Sequence, residues 1–215
     1  MFYQIVVGSC ITNCYLFVND RKECVVIDPG GDEVEIISII KELGITPLGI
    51  VLTHGHVDHT AAAGKVADYF RKKGQKVPVA LHRDDDKYLG ESGDEVNKNF
   101  LEVLGPVTQT RLTAKYSQMA GADLFIREMD KVFGMNVQVI ETPGHSKGSI
   151  CLYAEEENLL FSGDTLFFQG TGRTDFPDSS QKSIVDSIKS KLFSLPPDTQ
   201  VLPGHGPTTT IGMEK

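Results

Sequence analysis

Apolar and polar positions repeat on two different scales along this chain. FYQIVV (2–7), CYLFV (14–18) and CVVID (24–28) are short apolar runs rich in β-branched and aromatic residues, which predicts three strands. NDRKE lies between the last two as a polar hairpin turn, and Asp28-Pro29-Gly30-Gly31 stops the third run. The period then lengthens. Val34, Ile37, Ile40 and Leu43 keep helical spacing, with Asp32 placed as the N-cap and Gly44 as the stop. LGIVL (48–52) is apolar throughout and predicts a buried strand. AAAGKVADYFRKKG (61–74) reads as a helix with basic residues in its last turn and Gly74 as its stop, and VPVAL (77–81) reads as another strand.

Residues 83–125 carry a weaker pattern. They open with Asp84, Asp85 and Asp86, and a helix is predicted around Asp94–Leu104. Strand signals return at MNVQVIET, SICLYA and NLLFS, followed by a glycine-rich loop over Gly163–Gly172. QKSIVDSIKSKLFSL places Ile184, Ile188 and Leu192 on a four-residue repeat that fits a helix. TQVLPGHG supplies a last short strand ending in a loop. The chain has no clear internal repeat, low-complexity tract or linker, so residues 1–215 are expected to form a single domain of mixed α and β elements.

Composition adds exclusions. The chain is 40% hydrophobic and 23% charged, ordinary globular proportions with ample material for a core. A net charge of −8, from 21 basic and 29 acidic groups, argues against a nucleic-acid partner but leaves room for bound cations. No stretch approaches the ~18 apolar residues of a membrane span. The start, MFYQIVVGSC, lacks a basic n-region and a cleavage pattern, so no signal peptide is expected. Cys10, Cys14, Cys24 and Cys151 form no CxxC and read as buried reduced thiols. These features predict a cytoplasmic protein without a membrane partner.

The chemistry concentrates in THGHVDH (53–59). Of the 6 histidines, His54, His56 and His59 fall here; His145 and His205 follow two later predicted strands, and Asp164 follows another. In extended chain, residues i and i+2 share a side, so His54 and His56 reach one point. The turn past Gly55 can aim Asp58 and His59 at a second. One set is then His54, His56 and His145, another is Asp58, His59 and His205, and Asp164 can bridge with its two oxygens. A single structural zinc takes about four ligands and usually includes cysteine. Seven imidazole and carboxylate ligands instead suit two divalent ions about 3.5–4 Å apart, each with an open position. His82 is expected to be only a hydrogen-bonded residue.

THGHVDH, Gly144-His145, Asp164 and Gly204-His205 resemble the ligand series of the metallo-β-lactamase superfamily, from Asp28 to His205. The resemblance implies an α/β fold of four layers, an αββα sandwich, with Asp28 supporting the metal loop. A true metallo-β-lactamase usually has cysteine where Asp164 stands, so Asp164 points to the hydrolase branches. SGDTLFFQGTGRTDFP and VLPGHGPTTTIG resemble the small hydroxyacylglutathione hydrolase (glyoxalase II)-like proteins, which cleave thioesters such as S-lactoylglutathione. Full-length glyoxalase II carries a further C-terminal helical domain that grips glutathione; this chain runs ten residues past His205 and is expected to lack it.

The activity so implied is attack of a metal-bridging hydroxide on a small-molecule thioester or ester, with Asp58 as ligand and catalytic residue. Zinc is the expected metal, with iron and manganese accepted by the same donors. A thiolate leaves with a pKa of about 8.5 and needs little protonation, which favours thioester over amide or β-lactam cleavage. Arg173 lies where glyoxalase II has a lysine near the substrate. It either forks onto a substrate carboxylate or pairs with Asp175. Lys147 either adds charge beside the site or is solvated. Two rival activities share the ligand pattern. One is a mono-iron persulfide dioxygenase, which GRTDF resembles and which would use His54, His145 and Asp164. The other is a lactonase.

Overall fold

The computed structural model describes residues 1–90, 93, 96–97 and 121–215. One sheet takes its six strands in chain order: β1 (Phe2–Val7), β2 (Thr12–Val18), β3 (Glu23–Ile27), β4 (Thr46–Val51), β5 (Val79–His82) and β6 (Leu124–Ile126). The first three are antiparallel; β3 through β6 run parallel. The second sheet holds β7 (Gln138–Glu141), β8 (Ile150–Ala154) and β9 (Leu159–Gly163). After the small hairpin of β10 (Leu166–Phe167) and β11 (Gly170–Thr171), it is completed by β12 (Gln200–Pro203) and β13 (Thr209–Thr210). Its order is β13-β12-β9-β8-β7. Because β8 is antiparallel to both β7 and β9, and β12 is parallel to β9, strands β7, β9 and β12 all point the same way.

Alternation within continuously apolar strands builds two cores at once. In β2, Cys14, Leu16 and Val18 face one side and Tyr15 and Phe17 the other; in β3, Cys24 and Val26 oppose Val25 and Ile27. The second set meets Ile150, Leu152, Leu159, Phe161 and Leu202 of the other sheet, forming the layer between sheets. Phe161 sits at its centre, edge-on to Tyr15 and Phe17 at centroid distances of 5.3 and 5.7 Å. Truncating such a ring to alanine costs about 3–5 kcal/mol.

Helices close both outer faces. α1 (Glu33–Glu42) and α3 (Ala63–Arg71) lay Ile36, Ile40, Val66, Ala67 and Phe70 on the outside of the first sheet, and α2 (Val57–Thr60) lies between them in sequence. α4 (Gln181–Ser190) covers Cys151, Tyr153, Leu160 and Val201 of the second sheet with Ile184 and Ile188. The short α5 (Ile211–Glu214) ends the chain. The fold is the αββα sandwich. Ser180 caps α4, its hydroxyl accepting from the Ser183 amide at 3.2 Å. Among the described residues, no helix is long and apolar enough to cross a membrane.

Some local expectations change. Asp32 stands at the N-cap of α1 without capping it; its backbone is left-handed and its carboxylate accepts from the Gly8 amide at 2.7 Å. The glycine-rich loop contains the β10–β11 hairpin, and β13 and α5 follow the expected last strand. The helix expected around Asp94–Leu104 falls almost wholly outside the described residues. All four cysteines are free, Cys10 half-buried and the other three buried.

Candidate metal centre

Each candidate ligand follows the C-terminal end of a strand. His54 and His56 lie in the loop after β4, and Asp58 and His59 on α2, which that loop starts. His145 follows β7, Asp164 follows β9 and His205 follows β12. The structure brings all seven together. The donor atoms of His54, His56 and His145 lie within 4.8 Å of one another, as do those of Asp58, His59 and His205 and those of His54, His59 and Asp164.

The spacing suits cations. His59 Nε2 stands 3.2 Å from His205 Nε2, and His205 Nε2 stands 3.3 Å from Asp58 Oδ2. Donors arranged tetrahedrally at about 2.0–2.1 Å from an ion are separated by about 3.3 Å. Asp164 lies between the sets: its Oδ1 is 3.4 Å from His59 Nε2, and its Oδ2 is 3.6 Å from His145 Nε2 and 3.7 Å from His205 Nε2. His54 Nε2, Asp58 Oδ1 and Asp164 Oδ1 are buried without a hydrogen-bond partner. Buried polar atoms left this way are costly unless something else satisfies them, and divalent ions fit both the donors and the space.

The rings are aimed by hydrogen bonds on their far nitrogens. Asp28 Oδ2 takes the Nδ1–H of His59 at 2.9 Å and the hydroxyl proton of Thr53 at 2.7 Å. Thr53 Oγ1 is in turn 3.1 Å from His54 Nδ1 and accepts its proton. One buried carboxylate thus fixes two imidazoles with Nε2 facing inward. His145 Nδ1 donates to the Arg173 carbonyl at 2.8 Å, which turns its Nε2 inward as well. The His205 loop is held from the other sheet: Asn13 Nδ2 and Tyr15 Oη donate to the Pro203 carbonyl at 2.9 and 2.7 Å.

Two glycines are required by crowding. A Cβ on Gly30 would lie 1.6 Å from the Asp58 carbonyl oxygen, and one on Gly204 would lie 2.4 Å from Asp164 Oδ1.

The two sets differ in charge. Burial pushes the His54 imidazole well below its ordinary pKa; burial, with His145 alongside, takes His56 down to about 3. Burial would also lower His59, but Asp164, Asp28 and Asp58 outweigh it and hold His59 well above the usual value. His205 is raised by Asp164 and Asp58 against its burial. Burial works to raise Asp58 and Asp164, yet both are lowered, chiefly by His59, and by His205 as well.

Above the centre is a cleft of about 480 Å³ lined by Ser9, Cys10, Phe167, Thr171, Arg173 and Phe176 along with the ligands. Arg173 lines this cleft, its guanidinium paired with both Asp175 oxygens at 2.7 and 2.6 Å and stacked over Phe176 at 4.9 Å. Lys147 is exposed and outside the lining. His82, the sixth histidine, pairs with Glu141 at 3.1 Å. Sequence reasoning passed over Thr53, Asn13, Tyr15 and Asp85. Thr53 had one signal, its place directly before His54.

An αββα sandwich whose strand ends gather imidazoles and carboxylates around cation-sized gaps defines a class, the metal-dependent hydrolases of this fold. The chain belongs to the metallo-beta-lactamase superfamily, whose sequence model matches residues 7–205. The hydroxyacylglutathione hydrolase GloC of Haemophilus influenzae is 36% identical over 203 residues, covering 94% of this chain and 89% of that protein. The solved structure of the BLEG-1 B3 metallo-beta-lactamase is 39% identical with a TM-score of 0.86, covering 100% of this chain and 96% of that one. TTHA1623, solved in a di-iron-bound form, is 32% identical with a TM-score of 0.82, covering 99% and 96%.

Proposed function

We propose that this chain is a two-metal hydrolase of small thioesters of the S-lactoylglutathione type, with a pair of divalent ions, zinc foremost, held by His54, His56, Asp58, His59, His145, Asp164 and His205. The observation that carries this reading is Asp164, whose carboxylate lies between the two ligand sets, within 3.4 to 3.7 Å of three imidazole nitrogens. When bound, such ions supply Lewis acidity, activating water near neutral pH and polarising a carbonyl.

The chain's own groups do the rest. His54 and His56 stay neutral and offer lone pairs, while Asp28 and the Arg173 carbonyl keep the correct nitrogens inward. Asp58 lines the cleft with Oδ1 unpartnered, placed to orient a water proton. Phe167 and Phe176 line the cleft and offer an apolar wall for the acyl group. Arg173 meets a substrate carboxylate only in competition with Asp175, and Lys147 contributes by charge from outside the cleft. Burial holds the Cys10 thiol protonated, its pKa pushed up to about 11, so it does not compete as a nucleophile. The thiolate leaving group needs no dedicated acid. Four free cysteines support a reducing, cytoplasmic setting, and the −8 charge supports a small-molecule partner over nucleic acid.

GloC supports a glutathione thioester as the first substrate to try, and BLEG-1 makes a β-lactam the first competitor. The test is one assay panel on protein loaded separately with zinc, iron and manganese: S-lactoylglutathione, a chromogenic β-lactam, a lactone, and oxygen uptake with glutathione persulfide. Thioester turnover with kcat/KM of at least about 10⁴ M⁻¹s⁻¹ is expected. Oxygen uptake with one iron per chain and no hydrolysis would replace the reading with a dioxygenase. Cleavage of the β-lactam or lactone alone would overturn the substrate class.

A further inference from the structure

We propose that Asp85 is the positioning residue of the all-imidazole set, holding the His54–His56 loop and the His145 loop together so that three ring nitrogens converge on one cation. The inference rests on the two-metal reading.

Asp85 is fully buried in the 3₁₀ turn Arg83–Tyr88 that follows β5. Its Oδ2 accepts the Gly55 amide at 2.8 Å and the Ser146 hydroxyl at 2.6 Å; its Oδ1 accepts the Gly148 amide at 2.7 Å. Gly55 lies between His54 and His56, and Ser146 follows His145. The two loops are already joined at their base, where the Ile150 amide donates to the Thr53 carbonyl at 2.8 Å. Asp85 joins them at their tips, beside the ligands.

The chemistry of this clamp requires a carboxylate. Three donors from two loops converge on two oxygens, and an amide would turn an NH₂ toward at least one of them. A buried charge is tolerated only when its hydrogen bonds are complete, and three short bonds meet that condition here. The fit is close as well: a Cβ on Gly148 would lie 2.7 Å from Asp85 Cγ, and a Cβ on Gly55 would lie 2.5 Å from the Tyr88 ring. That ring stands edge-on to His56 at 5.1 Å, and its hydroxyl donates to Asp178 at 2.6 Å. The turn therefore braces both loops from one side. Asp84 is exposed and Asp86 half-buried, so only the middle acid of the triplet holds this position.

The test uses Asp85→Asn and Ser146→Ala, with Asp84→Asn as control. Zinc affinities come from chelator competition, ligand geometry from the absorption of the cobalt-loaded protein, and fold integrity from the melting of the metal-free form. The imidazole site is identified as the one whose cobalt band His145→Ala abolishes. Asp85→Asn is expected to weaken that site by about 10- to 100-fold and leave the other unchanged. Ser146→Ala is expected to shift the same site by about 3- to 10-fold, and Asp84→Asn neither. Unchanged affinities in a folded Asp85→Asn protein would overturn the proposal, and so would equal weakening of both sites. Should Asp85→Asn fail to fold, Ser146→Ala decides: a shift confined to the imidazole site supports the clamp and no shift removes it. Wild-type protein that binds only one ion would count against the two-metal reading. Asp85 would then still be judged by whether Asp85→Asn weakens that ion.

Discussion

The all-imidazole set and the carboxylate set share a wall, yet they are built on opposite electrostatics. Burial keeps His54 and His56 neutral, so their lone pairs are available to a cation at any pH near 7. In the other set, against burial, Asp164, Asp28 and Asp58 raise the pKa of His59, and Asp164 and Asp58 raise that of His205. A cation entering there competes with a proton on a raised imidazole, while His54 and His56 offer their lone pairs without that competition. The two candidate ligand sets on one fold edge thus differ in proton linkage, and Asp164 lies between them.

Removing that shared group tests the comparison hardest. Asp164→Ala is expected to lower thioester turnover by about 10³-fold and to reduce the metal content below that of any variant confined to one set. Steady-state kinetics and elemental analysis check it. Asp58→Ala touches only the carboxylate set; turnover is expected to fall by about 10²-fold with the circular dichroism spectrum unchanged. Near-normal turnover in Asp58→Ala would remove its catalytic role. Asp28→Asn disturbs the aim of His59 and, through Thr53, of His54, so chelator competition should report metal binding about 10- to 100-fold weaker.

The pH response separates the sets by sign. In the metal-free protein, His59 is raised, so its stabilising contribution is present below its unfolded pKa of about 6.5 and is lost as pH rises through the raised value. Asp164 is lowered, so its contribution is present above about 3.9 and is lost as pH falls further. His54 and His56 are lowered, so stability falls as pH drops below about 6.5, and metal-free protein should melt at its highest temperature near pH 6.5 and lose about 2–4 °C for each kcal/mol surrendered on either side. Metal-loaded protein should not show the alkaline loss, because the cation has replaced the proton. The smallest effect is expected from Lys147→Ala, with kcat unchanged and KM altered by about threefold at most.

The convergence of the candidate ligands was legible because each carries its own mark: a histidine or aspartate beside or near glycine after an apolar run, as at His54, His145, Asp164 and His205. The layers were less so. Continuous apolar runs such as CYLFV say that both strand faces are buried but not what covers them; the four-layer order came from the family resemblance. Asp85 was invisible for a physical reason. Three consecutive aspartates look alike in sequence, and only the 3₁₀ turn decides which one points inward. Asp32 shows the same limit, since a distant amide, that of Gly8, took the carboxylate expected to cap α1. The strand β6 has just three residues, two of them exposed, and the β10 and β11 strands have two each, too few to set a period.

The central claim is tested most directly by anomalous diffraction at the zinc absorption edge on crystals of the zinc-loaded protein. The account predicts two peaks about 3.5–4 Å apart, one among His54, His56 and His145 and the other among Asp58, His59 and His205, with Asp164 between them. A single peak, or ions bound away from Asp164, would contradict it.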